Sequence, residues 1–269
     1  MTWLRTLGIV GGLGPHAHIG FEQRLLQAVG TVDADQDYPP WLLASIPGTP
    51  DRTAALLTDA PSPVPQLVRG LRLLEGRADF AMIACNTAHA FLDEVRREVE
   101  IPIFDVVRET ARYLRRRLGD RAQVGLLATD GSLATKLYPR AAHKVAPNLR
   151  WVSLLDLPAG ERDQQRLVMD SIYGERSEDG RRVGGIKSGS LHSQTTGRSH
   201  AEAFEEAIGR LGEAGAEAVV LGCTEISLVL PPDEDHTPLR IDPMALAAER
   251  CLRIARGDLP LPDADGLAG

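Results

Sequence analysis

Phe80-Ala81-Met82-Ile83-Ala84-Cys85-Asn86-Thr87-Ala88-His89 is an apolar run that ends on a cysteine and a polar turn. Ala218-Val219-Val220-Leu221-Gly222-Cys223-Thr224-Glu225 repeats the arrangement in the second half of the chain. Each reads as a buried strand, its carboxyl end, and a turn into a helix. Short continuous apolar runs of this kind suit a parallel sheet covered on both faces. The carboxyl ends of such strands are where ligands bind. A thiol there faces backbone N–H groups and the positive end of a helix, which lower its pKa from about 8.5. A single cysteine at a strand end is ordinarily a small buried apolar side chain. Two in matching positions, one from each half of the chain, point beyond packing to a pair facing each other across a cleft. Cys251 supplies the contrast: it shares a helical face with Ala247 and Ile254 at the i, i+4, i+7 spacing and reads as core.

Outward from these turns, strands and helices alternate along the whole chain. The first half reads as strands Leu7–Gly11, Trp41–Ile46, Phe80–Ala84 and Ile101–Phe104, with helices over His16–Val29, Pro63–Glu75 and Val106–Leu118. The pattern then restarts with strand Gln123–Ala128, a helix to about Arg140, strand Trp151–Leu155, helix Asp163–Tyr173, a helix marked by Phe204, Ile208 and Leu211, and strand Ala218–Gly222. Leu7–Gly12 corresponds to Val124–Thr129, and Asp79–Thr87 to Glu217–Thr224, so the chain reads as an internal duplication. The expected fold is α/β: two similar parallel-sheet lobes related by a pseudo-two-fold axis, with the active site in the interlobe cleft. The lobes are expected at 1–118 and 119–239, with a helix over 240–258 packing back on the first and a frayed tail at 259–269. The second lobe carries a Gly-, Ser-, Arg- and Thr-rich insertion over 174–199. A polar loop of that length reads either as a functional lid or as disorder.

Composition narrows the function classes. The chain has 269 residues, 43% hydrophobic and 25% charged, with a formal net charge of −7. That balance disfavours nucleic acid and anionic membrane surfaces as partners. Arg115-Arg116-Arg117 lies on a helix whose apolar face is Val107, Ala111, Leu114 and Leu118, so the arginines read as a solvated face. Three cysteines without a CxxC spacing fit neither a disulfide scaffold nor a zinc ribbon. No apolar run is long enough to span a membrane, and Met1-Thr2-Trp3-Leu4-Arg5 lacks the layout of a signal peptide. A cytoplasmic protein with reduced thiols is the expectation.

Several side chains join the cysteines. Gly11-Gly12-Leu13-Gly14-Pro15 is a glycine turn between strand and helix. It reads as a carboxylate-binding turn or as simple chain reversal, and it matches neither the dinucleotide nor the Walker pattern. Arg52, in Pro50-Asp51-Arg52-Thr53, offers a planar fork for a carboxylate. Lys187, in the insertion, supplies a second positive charge if it reaches the site. His16 and His18 follow the glycine turn at a spacing unsuited to a helical metal pair, and no metal site is expected. His89, one helical turn beyond Cys85, either orients the thiol or simply caps and packs.

The ordered set Gly11-Gly12-Leu13-Gly14-Pro15, Pro50-Asp51-Arg52-Thr53, Cys85-Asn86-Thr87-Ala88-His89, Leu127-Ala128-Thr129-Asp130-Gly131 and Gly222-Cys223-Thr224-Glu225 resembles the aspartate/glutamate racemase family, and most closely its aspartate racemase branch. The resemblance spans roughly residues 5–230. It implies a cofactor-independent, commonly dimeric enzyme that uses two cysteines as acid and base on an amino acid or dicarboxylic acid. On that likeness Cys85 and Cys223 are the two bases and Arg52 grips a substrate carboxylate. Asn86, Thr87, Thr129 and Thr224 hydrogen-bond the α-carboxylate and amino group, alongside Gly12, and Lys187 is the second cation. His18, His89 and Glu225 are supporting residues. The chain departs from the family pattern at His18, where Thr is expected, at Ile46, where Asn is expected, and in extra residues near Glu175–Gly185. Two other readings accompany the racemase: an isomerase, lyase or hydantoin racemase of the same superfamily, and a non-catalytic amino-acid-binding protein.

Overall fold

The computed structural model describes residues 2–233 and 235–269. Two compact units form, one comprising the residues up to Arg112 together with Pro243–Gly269, the other Tyr113–Asp242. The division falls inside the helix Val106–Leu118, ahead of the 118/119 boundary read from the sequence.

In the first unit, strands β1 (Leu7–Gly11), β2 (Trp41–Ser45) and β3 (Phe80–Ile83) form a parallel sheet in the order β2-β1-β3. Leu7 lies opposite both Trp41 and Phe80. β1 and β3 are buried throughout, which is why both read as unbroken apolar runs. β2 is the edge, with Leu42 and Leu43 exposed and Ala44 buried. The fourth strand expected over Ile101–Phe104 is reduced to one bridge, between Ala81 and Ile103. Pro102 accepts from the Ala81 N–H through its carbonyl, but it has no N–H with which to extend the ladder.

Helix Pro15–Val29 packs against helix Pro243–Arg256. Phe21 and Leu25 from the first helix join Ile9, Phe80, Phe104, Ala248, Cys251 and Ile254 in one core. Cys251 is fully buried there. The other sheet face is covered by Leu67, Leu71, Leu92 and Val95, packed on Val10 and Ile83. The 259–269 tail, expected to fray, is instead tied down. The Asp105 N–H donates to the Gly266 carbonyl at 2.9 Å, Arg250 donates to the Ala268 carbonyl at 2.6 Å, and Arg108 pairs with Asp265 at 3.0 Å. The tail supplies acceptors for guanidinium groups on two helices, and Ala268 is buried in the core.

The second unit contains β4 (Gln123–Leu127), β5 (Arg150–Val152), β6 (Glu175–Arg176), β7 (Arg182–Val183), β8 (Ala218–Leu221) and β9 (Leu239–Ile241). Four of them form a parallel sheet in the order β5-β4-β8-β9. This order repeats that of the first unit, with β9 in the position that the Ile103 bridge takes there. The helix expected after Ser132 to about Arg140 instead begins at Asp130 and is broken into Asp130–Ala134 and Leu137–Ala142, with Lys136 at φ 51° between them. The helix expected over Asp163–Tyr173 begins earlier, at Gly160, and contains a π turn over Gln164–Met169.

The insertion is a folded polar segment. β6 and β7 pair as an antiparallel hairpin. Glu175 accepts from the Ser193 hydroxyl at 2.5 Å and from Thr195, and His200 Nε2 contacts the Gly184 carbonyl at 2.7 Å. Ser199 and Glu202 then form a capping box that starts the helix His200–Glu213. Among the described residues, no helix is long and apolar enough to cross a membrane.

Candidate active site

Parallel pairing sends the chain out of every strand on the same edge of its sheet. In the first unit Gly11 is registered with Ser45 and Val10 with Ile83, so the glycine turn, the Asp51-Arg52 loop and the Cys85 turn leave one edge together. Cys85, Asn86, Thr87, His89, Arg52 and His18 are all buried there.

The Cys85 turn is fixed by its backbone. The Cys85 N–H donates to the Ile83 carbonyl at 2.8 Å, and the Ala84 N–H to the Val10 carbonyl at 2.9 Å. His89 ties the turn to the next helix. Its Nδ1 lies 2.9 Å from the Cys85 carbonyl, which can only accept, and its Nε2 lies 3.4 Å from the Val106 N–H, which can only donate. The ring is therefore neutral with the proton on Nδ1. Burial lowers its pKa, outweighing the nearby Asp105, which keeps it so. His89 thus orients the backbone that carries the thiol.

The glycine turn differs from its sequence reading. The Gly12 N–H, expected to face an anion, donates to His18 Nδ1 at 3.1 Å. Burial lowers the His18 pKa against the pull of Glu22, so its imidazole stays an acceptor. Gly11 and Gly12 are required sterically. A Cβ on Gly11 would lie 2.7 Å from the His18 ring, and one on Gly12, at φ +83°, 2.5 Å from the Ile46 nitrogen. Arg52 fastens this turn to its own loop. Its guanidinium donates to the carbonyls of Leu13 at 2.7 Å, Pro50 at 3.0 Å and Thr49 at 3.4 Å. Asp51 caps the short helix Arg52–Leu57 by accepting from the Ala54 N–H at 2.8 Å.

In the second unit Leu127 is registered with Leu221, which places the Thr129 and Cys223 turns at one sheet edge. The Thr129 hydroxyl lies 3.3 Å from that of Ser132. Gln164, which the sequence reading did not single out, clamps this turn. From the π turn, its amide donates to the Ala128 carbonyl and to Asp130 Oδ1, both at 2.9 Å. π turns recur at functional sites, but a glutamine inside a helical pattern carries no signal of its own.

Cys223, Thr224 and Glu225 form a compact buried group. Glu225 Oε2 accepts from the Cys223 thiol at 3.0 Å and from the Thr224 hydroxyl at 2.9 Å. Glu225 Oε1 pairs with Lys187 Nζ at 3.0 Å. Lys187 therefore reaches the cysteine turn through Glu225, while its ammonium also rests 5.2 Å from the centroid of the Tyr173 ring. Burial pushes the Glu225 carboxyl up, yet the Lys187 charge and the hydrogen bonds from Cys223, Lys187 and Thr224 bring it down to about 2. The Cys223 thiol goes the other way from the sequence expectation. Burial, then the Glu225 carboxylate, raise its pKa well above the ordinary thiol value, with Lys187 opposing. The helix that follows is a single turn, Ile226–Val229, too short for its dipole to overcome a buried anion.

A model of the Asp/Glu/hydantoin racemase family matches residues 10–175 and 160–251. The chain belongs to this family. Among curated relatives, a glutamate racemase from Shouchella clausii is 28% identical over 62% of this chain and 51% of its own length. A broad-specificity amino-acid racemase from Bacillus subtilis is 23% identical over 50% of this chain and 59% of its own. The chain thus spans about half the length of the curated relatives it matches. Among solved structures, an aspartate racemase from Picrophilus torridus aligns with a TM-score of 0.71 at 23% identity, covering 94% of this chain and 95% of that one. An aspartate racemase homologue from Pyrococcus horikoshii aligns at 0.67 and 19%, covering 94% and 99%. At these identities the structures establish a shared two-lobe α/β fold.

Proposed function

We propose that the protein is a cofactor-independent amino-acid racemase that inverts the α-carbon of aspartate or glutamate with two cysteines. The observation that carries the reading is the recurrence of one cysteine turn at corresponding strand ends of two duplicated units, within a racemase family. Cys85, as thiolate, removes the α-proton from one face of the substrate. Cys223, held as a thiol, delivers its own proton to the opposite face of the same carbon. One C–H bond breaks as one S–H bond forms, and the reverse occurs on the other side, so the cysteines exchange protonation states in each turnover.

The α-proton is weakly acidic, so the charge that develops on the carboxylate needs preorganised donors. Asn86, Thr87 and Thr129 flank the two cysteines in sequence or at the same sheet edge and fill that role, while Thr224 gives its hydroxyl proton to Glu225. Arg52 brings a fixed positive charge to the Cys85 edge and attracts the substrate carboxylate. His89 and Gln164 position the turns, and neither touches the reacting carbon.

A second reading concerns the side chain. Lys187, the second cation of the family likeness, already pairs with Glu225. An acidic substrate competes with Glu225 for it, whereas a neutral amino acid leaves the pair intact. Chiral chromatography of acidic amino acids, neutral amino acids and hydantoins, incubated with reduced protein and no added cofactor, separates these substrates. The antipode of aspartate or glutamate is the expected product. Turnover of neutral amino acids alone supports the second reading, and no antipode from any compound overturns the proposal. The family resemblance also carries a homodimer, which analytical ultracentrifugation of the same preparation tests.

A further inference from the structure

The Cys223 turn contains more than the two-thiol chemistry requires. A base pair of cysteines needs no carboxylate against one sulfur, yet Glu225 places an oxygen 3.0 Å from Cys223 Sγ. That oxygen also takes the Thr224 hydroxyl, at 2.9 Å, so its direction is set from two sides. The other carboxylate oxygen is held by Lys187 at 3.0 Å. Lys187 is in turn positioned by the insertion. It and Arg182 both lie against the Tyr173 ring, at 5.2 and 5.4 Å from its centroid. The segment over 174–199 therefore delivers a charge to a group two residues from a cysteine.

We infer that Glu225, anchored by Lys187 from the insertion, is a positioning residue that keeps the Cys223 proton on sulfur and fixes the direction of its S–H bond. This rests on the racemase reading. A carboxylate is an acceptor only, so the hydrogen between Glu225 and Cys223 belongs to the thiol while Glu225 is ionised. Ionising the sulfur as well would leave two buried anions in contact. Lys187 decides which of the two carries the charge, because it touches the carboxylate. Glu225 and Lys187 are the charged groups acting on the thiol, and they act in opposite senses. The burial-driven rise of the Cys223 pKa agrees with this arrangement. In the resting protein Cys223 is then the donor, leaving proton abstraction to Cys85, and the insertion serves to set that asymmetry.

The test is the pH profile of alkylation by iodoacetamide, which reacts with the thiolate, with the three cysteine peptides quantified separately by mass spectrometry in the full-length protein. In Glu225→Gln the amide can still accept from the thiol, but its charge is gone. The midpoint for Cys223 is expected to fall by at least about one pH unit, equivalent to tenfold more thiolate at a given pH. Glu225→Asp is expected to stay near wild type. A midpoint unchanged in Glu225→Gln, with circular dichroism showing a native fold, overturns the inference. If Glu225→Gln does not fold, Glu225→Ala takes its place: it removes the same charge, the Cys223 midpoint is expected to fall, and an unchanged one overturns the inference. A purely structural role for Glu225 lowers the melting temperature and leaves the midpoint alone. Racemisation measured on the wild-type sample judges the underlying reading separately, since the alkylation profile does not depend on turnover.

Discussion

Replacing Gly12 by alanine tests whether the glycine turn exists for steric reasons. Gly12 has φ +83°, and its added Cβ would lie 2.5 Å from the Ile46 nitrogen and 2.7 Å from the Ile46 carbonyl carbon and the Pro47 nitrogen. All three are backbone atoms of the neighbouring loop, so no side-chain rotation relieves the clash. Gly30 is the control, with φ +77° but nothing within 4 Å of its added Cβ. Gly30, at ψ −152°, lies in a region essentially restricted to glycine, so Gly30→Ala reports backbone conformation alone, on the order of 1–3 kcal/mol. Gly12→Ala adds the displacement of a packed loop, on the order of 2–3 kcal/mol more. For a chain of this size about 1 kcal/mol corresponds to roughly 2–4 °C in Tm. Both variants are expected to melt below wild type, Gly12→Ala roughly 8 °C lower than Gly30→Ala. Thermal unfolding followed by circular dichroism at neutral pH gives both values. Equal shifts for the two variants would refute the steric argument.

Three further outcomes follow from the buried groups. The Glu225 carboxyl is held at about 2 against an ordinary 4.5, so its stabilisation is complete above pH 4.5 and lost as pH falls toward 2. Between pH 5 and pH 3 wild type is expected to lose about 2 kcal/mol more unfolding free energy than Glu225→Gln, measured by urea titration. His89 has a lowered pKa, so its neutral form stabilises the fold above the unfolded value near 6.5 and that contribution fades as pH falls below it. His89→Gln, compared with wild type at pH 7.5 and 5.5 by thermal melting, is expected to flatten this limb. Cys251 is fully buried in the first core, and burial raises its pKa. Cys251→Ser is expected to cost about 1–3 kcal/mol in urea unfolding while racemisation is retained.

The parts of the molecule legible in the sequence are those that depend on one element at a time. β1, β3 and β8 announce themselves because strands buried on both faces are apolar throughout, β4 does so after its half-buried Gln123, and each cysteine turn follows directly from such a run. β9 escaped because Leu239–Ile241 is too short for any periodicity. Ile101–Phe104 looked like a strand because nothing local distinguishes a ladder from a bridge beside a proline. The site contacts that set protonation are less legible still. Lys187 and Glu225 are far apart in sequence and meet only through the packing of the insertion. Whether the Gly12 N–H faces an anion or His18 depends on a ring reaching back from the following helix. The Cys223 pKa was read with the wrong sign because the helix dipole is visible in the sequence and the degree of burial is not.

The most direct test of the account is proton NMR of aspartate and glutamate, each enantiomer separately, incubated with the reduced protein in deuterated buffer alongside Cys85→Ala and Cys223→Ala. Two-base inversion predicts that the antipode forms carrying deuterium at the α-carbon while the starting enantiomer stays protiated at early times, and that neither variant racemises. Absence of α-proton exchange with the wild-type protein, or full racemisation by either cysteine variant, would contradict it.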